Sequence, residues 1–192
     1  MKTTIVAMAL TLFLVSSTAG AGDPTGDPRY EHPVVKDHGG VVVLPNAAYQ
    51  PKRSAKVILD ITSDKMEGGV LLGLDRAALI LNQYTAADAG TDHDFNMTVI
   101  LHGPATTAAL SDEAFAKHAS SYKKDLGKAK NPNREIVKTL TGAGVEIVVC
   151  GQALAHHGFA TDEVLPEVKV AVSAATANIQ LQMSGYAYIP FK

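Results

Sequence analysis

Apolar and polar positions fall into two regimes along this chain. Short runs dominated by Val, Ile and Leu recur at "KVILDIT" (56–62), "FNMTVIL" (95–101), "VEIVV" (145–149), "VKVAV" (168–172) and a final "YAYIPF" (186–191). Runs of this length and β-branched content, bounded by turn-forming or polar residues, read as strands. Between them the apolar residues recur at helical spacing. Glu67 to Tyr84 carries Val70, Leu74, Ala77, Ala78 and Leu81 on one face and predicts one helix. "SDEAFAKHASSY" opens on Ser111, an N-cap type of residue, with acidic residues in its first turn. "NREIVKTLTGAG" presents Ile136, Val137 and Leu140 together and ends in glycines; "GQALAHH" is a short helix closed by Gly158; "AATANIQLQMSG" is the last helix. Strands that are apolar almost throughout, alternating with helices, predict an α/β domain whose parallel sheet is covered on both faces.

The N-terminal region departs from this pattern. "MKTTIVAMALTLFLVSSTAGAGDP" has a basic Lys2, an apolar core from Ile5 to Val15 and an A-x-A site at Ala19-Gly20-Ala21, the arrangement of a cleaved secretory signal over residues 1–21. Its apolar core is shorter than the about 20 residues a membrane span needs. A mature chain beginning near Gly22 is therefore expected to be exported, periplasmic or secreted. Residues 22–54, rich in Gly, Pro and Asp, read as an extended arm with one β-like run, Val41 to Leu44, stopped by Pro45. Residues 55–192 form the domain proper.

Charge adds little to this picture. With 17 basic against 19 acidic residues, nothing predicts wholesale binding of nucleic acid or of a membrane surface. Lys117, Lys123, Lys124, Lys128, Lys130, Arg134 and Lys138 form a basic run that reads as a solvated helix–loop–helix face. The G-x-G-x-x-G, Walker, H-E-x-x-H, C-x-x-C and G-x-S-x-G patterns are all missing, so no nucleotide, zinc-protease, dithiol or serine-hydrolase motif is present.

The single cysteine changes the picture more. Cys150 has no partner for a disulfide within the chain, and an oxidising compartment disfavours an idle thiol. It ends a predicted strand and begins a predicted helix, where unpaired N–H groups favour the thiolate. Gly151 beside it carries no side chain to shield the sulfur. In parallel sheets ligands bind beyond the carboxyl ends of the strands. There the first strand leads into Ser63 and Asp64, the second into His102, and the third into Cys150, Gly151 and Gln152. His102 would supply an imidazolium or accept the thiol proton. The residues alone leave two readings open: a reactive thiol, or a buried cysteine packed as a small hydrophobe. His156 and His157 read as exposed residues near a helix C-terminus, with a three-ligand metal site of Cys150, His102 and one of them as the alternative.

"VILDITSD", "MTVILHGPA", "NREIVKTLTGAGVEIVVCGQALAHHGF" and "SGYAYIPF" together resemble the DsrE/DsrF-like sulfur-relay proteins, in particular their exported single-domain branch, over roughly Lys56 to Lys192. The resemblance implies a three-layer α/β/α sandwich with a five-stranded parallel sheet, assembled as a homotrimer or homohexamer. It implies that Cys150 holds sulfane sulfur as a persulfide and passes it to a partner thiol. His102 would then tune the sulfur, and Ser63, Asp64, Gly151 and Gln152 would line the site, with no organic cofactor. The expectation is a periplasmic sulfur carrier or sulfurtransferase-like protein. A non-enzymatic protein that binds a metal or small ligand in the same sheet-edge pocket is the alternative.

Overall fold

The protein is described here by a computed structural model over residues 29–118 and 130–192. The signal segment read at residues 1–21 and the lysines at 123, 124 and 128 lie outside the described residues. Strands β1 (Lys56–Ile61), β4 (Asn96–Leu101), β5 (Glu146–Cys150), β6 (Lys169–Ala171) and β7 (Ala187–Phe191) form one sheet in the order β6-β5-β4-β1-β7. Every pairing in it is parallel. A two-residue pair, β2 (Met66–Glu67) with β3 (Val70–Leu71), precedes helix α1 (Leu72–Ala86). The remaining described α-helices are α2 (Asp112–His118), α3 (Arg134–Gly142), α4 (Gly151–His157) and α5 (Ala174–Met183).

Side-chain alternation along the strands sorts the sheet into two faces. Val57, Leu59 and Ile61 of β1, Met97, Val99 and Leu101 of β4, and Ile147 and Val149 of β5 pack against α1, α2 and α3 in the main core. Ile58, Ile100, Val148 and Cys150 point the other way, under Ala174, Ala177 and Leu181 of α5. This is the expected three-layer α/β/α sandwich. Its second layer is thin: Val172, Ile179, Met183, Tyr188 and Ile189 stay exposed, Met183 at 84%.

Two expected elements differ. The helix expected from Glu67 begins only at Leu72, because Gly68 and Gly69, at φ 59° and 86°, turn the chain back on itself. Two successive left-handed residues are the signature of a tight hairpin, which glycine adopts without steric cost. The run Val41 to Leu44 forms no strand. Val41 makes one bridge to Glu31 and is buried, while Val42, Val43 and Leu44 are exposed. Two side chains of α1 hold the arm instead, and Asp75 Oδ1 accepts the Gly39 N–H at 3.1 Å. Asn82, fully buried, accepts the N–H groups of Val34 and Val35 and donates to the carbonyls of Val35, His38 and Gly39.

Ser111 caps α2 as expected, its Oγ accepting the Ala114 N–H at 3.1 Å. Lys117 and Arg134 of the basic run are paired, with Glu163 and Asp112 respectively. Glu163 ties α2 to the turn at 161–163, taking Lys117 at 2.7 Å, His118 at 2.8 Å and the Ala160 N–H at 3.0 Å. Lys117 first, then the Ala160 amide and His118, hold its carboxyl down at about 2, below the ordinary 4.5. A depressed folded value means this contribution is complete above about pH 4.5 and fades as the pH falls toward 2. Glu163→Gln should therefore destabilise the protein at neutral pH. It should also flatten the acid limb between those limits, which urea midpoints measured across the window will show.

Candidate functional site

The site grows from the carboxyl ends of β5, β4 and β1. β5 delivers Cys150 as its last residue, and Cys150 is at the same time the N-cap of α4. Its Sγ accepts the Ala153 N–H at 3.4 Å, so the sulfur takes up one of the unpaired amides at the start of that helix. The thiol is only 6% exposed and packs with Ile58, Ile100, Val148 and Ala174. Both readings of the cysteine thus have a footing: it is buried among apolar neighbours, and it is presented to backbone donors.

Gly151 also has a packing role beside the sulfur. A Cβ there would lie 2.7 Å from the carbonyl oxygen of Ala171, so glycine is needed for the close approach of α4 to the end of β6. Gln152 is exposed and turns to the same strand end, its Nε2 donating to the Val172 carbonyl at 3.4 Å. Ser63 is half-buried and its Oγ accepts the Lys65 N–H at 3.3 Å, capping its own turn. Asp64 is exposed and lines a small cavity with Met66, Leu71, Thr107 and Phe115. Leu71 and Phe115 belong to the main core on the opposite face from Cys150. The chain does pass the expected sheet edge at Ser63 and Asp64. Asp64, however, is turned to the other face, so it is not brought together with the sulfur.

His102 is brought to Cys150's face. The parallel register pairs Ile100 with Val148 and Leu101 with Val149. Continued one step, it sets His102 opposite Cys150, and alternation puts both side chains on the α5 face. His102 also makes a contact that the sequence reading missed. Its Nε2 lies 2.9 Å from Oδ1 of Asp60, a β1 residue only 5% exposed. The two atoms are close but not aligned as a straight hydrogen bond, and neither has a hydrogen-bond partner among the described residues. The second carboxylate oxygen, Oδ2, accepts the Tyr188 hydroxyl at 2.8 Å and the Asn178 side-chain N–H at 3.1 Å. That hydrogen bond from the phenol, more than burial or the neighbouring charge, raises Tyr188 above its ordinary titration range and keeps it protonated. A signal for this cluster was present in the sequence. Asp60 is a lone acid inside an otherwise apolar strand, and a buried carboxylate requires partners.

His156 and His157 are exposed at the C-terminal end of α4, and His157 Nε2 meets the Gly103 carbonyl at 3.2 Å. Among the described residues, no three His, Cys, Asp or Glu side chains are grouped to hold a metal ion. Nor, among them, is any helix long and apolar enough to cross a membrane.

Residues 56–191 match the family model described as the DsrE/DsrF-like family. Among solved structures, the chain resembles a protein of unknown function, MTH1491, from Methanobacterium thermoautotrophicum. The two are 21% identical, and the match covers 71% of this chain and 98% of the other at a TM-score of 0.50. The YchN protein from E. coli is 16% identical, with 71% of this chain and 99% of that one covered at a TM-score of 0.45. At such identity the first likeness is one of fold alone. No curated protein matches the chain.

Proposed function

The chain belongs to the DsrE/DsrF-like family, and from that premise we propose that it is an exported sulfur carrier that holds sulfane sulfur as a persulfide on Cys150. The observation that carries this reading is the placement of the only sulfur nucleophile in the chain. Cys150 ends a central strand, receives a backbone N–H at the start of α4, and has His102 opposite it in register. In that position the thiolate attacks the outer sulfur of a donor, a new S–S bond forms at Sγ, and the donor's own S–S bond breaks. With thiosulfate the leaving group is sulfite. An acceptor thiolate then takes the sulfur and regenerates Cys150.

The localisation in this reading rests on the signal-like leader at residues 1–21, with the mature chain starting near Gly22. Its partners are sulfane-sulfur donors and protein thiols. A homotrimer or homohexamer would cover the apolar residues left exposed on α5 and β7. The deciding experiment is the intact mass of the purified protein after exposure to thiosulfate or polysulfide. Gain of one sulfur atom, released by dithiothreitol, is the expected result; an unchanged mass overturns the reading.

His102→Ala should slow alkylation of Cys150 at neutral pH and move the rate profile upward by about 1 to 3 pH units, the usual effect of removing a favourable charged neighbour. The structure adds a cost in stability to this variant. His102 Nε2 stands 2.9 Å from Oδ1 of the buried Asp60, so its loss removes a charge partner from a buried carboxylate. Alkylation kinetics and a thermal melt on the same sample separate the two effects. A wild-type alkylation profile in a folded variant would reduce His102 to a structural residue.

A further inference from the structure

The order β5-β4-β1-β7 sets residues from four neighbouring strands in a row on one sheet face. The row runs Cys150 on β5, His102 directly after β4, Asp60 on β1, and Tyr188 reaching in from β7. We propose that Asp60 is a positioning residue for the thiol. Anchored by Tyr188 and Asn178, its carboxylate orients the His102 imidazole through Nε2, and the other ring nitrogen, Nδ1, exchanges the proton of Cys150.

Burial carries the argument first. Asp60 is 5% exposed, in a strand where Ile58 two residues earlier fills the same face with an apolar side chain. A carboxylate at such a place is costly unless its oxygens are engaged. Here the two oxygens are divided: Tyr188 and Asn178 both bind Oδ2, and among the described residues Oδ1 meets His102 alone, at 2.9 Å. The carboxylate is thereby fixed from behind and turned toward the ring.

Topology carries it further. β4 lies between β5 and β1, each about 4.8 Å away. A side chain at the end of β4 therefore has the strand of Cys150 on one side and the strand of Asp60 on the other. A carboxylate beside one imidazole nitrogen favours a proton there and makes the second nitrogen the more basic. The thiol proton then passes to Nδ1, giving a thiolate and an imidazolium that Asp60 stabilises without taking the proton. When the thiolate opens a sulfane-sulfur donor, the proton on Nδ1 goes to the departing group. No oxidant or reductant is required beyond the donor itself.

At the carboxyl edge the other titratable groups are His157 of α4, whose Nε2 meets the Gly103 carbonyl beside His102, and Lys192, which follows the end of β7; the rest stand at the far end of the face. Lys56 and Tyr186 flank the amino ends of β1 and β7, and Glu146 and Lys169 pair at the amino ends of β5 and β6. Nothing charged on α5 faces the row; Asn178 is its polar contribution.

The inference deepens the persulfide reading and rests on it only for the identity of the electrophile, since proton exchange at the thiol needs no donor. The test is the pH profile of iodoacetamide alkylation at Cys150 in the full mature chain, in wild type, Asp60→Asn, Tyr188→Phe, His102→Ala and the Asp60→Asn/His102→Ala double variant. Asp60→Asn should slow alkylation about tenfold near pH 7 and move the profile up by about 1 pH unit. It should have no further effect once His102 is gone. An unshifted profile in folded Asp60→Asn, or an equal loss with and without His102, overturns the inference. If Asp60→Asn does not fold, Tyr188→Phe decides, because Tyr188 is 43% exposed and loss of its hydroxyl removes only one anchor. A smaller upward shift that vanishes in the His102→Ala background supports the inference, and no shift overturns it. Sulfur loading measured by mass on the same variants keeps the two ideas apart. Loading with unshifted alkylation profiles defeats the positioning role alone, whereas shifted profiles without loading defeat the carrier reading alone.

Discussion

Cys150→Ser is expected to abolish sulfur loading while leaving the protein folded. The chain has one cysteine, so no second thiol can replace it. A serine hydroxyl is a far weaker nucleophile than a thiolate at neutral pH, and it forms no persulfide. The fold survives for a local reason. Serine is among the best N-cap residues, and its Oγ can take over the Ala153 N–H that Sγ now accepts. That gain offsets much of the cost of placing a hydroxyl among Ile58, Ile100, Val148 and Ala174, about 1–3 kcal/mol for an unpaired group. Intact mass after thiosulfate, with a thermal melt alongside, measures both halves. Loading that persists in a folded Cys150→Ser protein ends the carrier mechanism.

The largest structural effect is expected at a residue far from the sulfur. Asn82→Ala should release the arm from α1. One buried amide there satisfies two backbone N–H groups and three carbonyls of residues 34–39. Leaving such groups buried and unpaired would cost about 1–3 kcal/mol each. The chain avoids that sum by peeling the arm into water, so the loss is capped at the free energy that docks the arm. Val35 and Val41 would become exposed with it. The expected result is rapid proteolysis between residues 29 and 55 with the sheet domain intact, and a thermal midpoint several degrees lower. An arm as resistant as in the wild type would show that the packing of Val35 and Val41 and the Asp75 contact to Gly39 hold it without Asn82.

Neither of these residues was equally legible beforehand. Cys150 stood out because a lone cysteine at the junction of an apolar run and a Gly-led helix is visible in the local sequence. Asn82 did not, since an Asn on a helix with apolar spacing looks like a surface residue until the arm covers it. The same division runs through the site. His102 was found from its place after a strand, whereas Asp60, Tyr188 and Asn178 come from three segments with nothing in their spacing to join them. The local sequence shows that Gly151 leaves the sulfur unshielded; only the packing shows that a Cβ there would also lie 2.7 Å from the Ala171 carbonyl. Asp64 shares the sheet edge in the chain trace and faces the other side.

What the sequence determined by itself is therefore the local part. Hydrophobic periodicity placed the five strands, the capped helices and the α/β alternation, because burial of one face and satisfaction of helix ends act over a few residues. It also put Cys150 at the carboxyl end of its strand, next to a helix start. The tertiary structure alone decided the order β6-β5-β4-β1-β7, which is set by crossovers between segments up to the whole domain apart. That order places β4 between Cys150 and Asp60, and so determines which groups the imidazole can serve. It decided as well that Asp60 is buried. A lone acid in an apolar strand signals that partners are needed but not which; the Tyr188, Asn178 and His102 contacts that offset its desolvation exist only once distant segments are packed together.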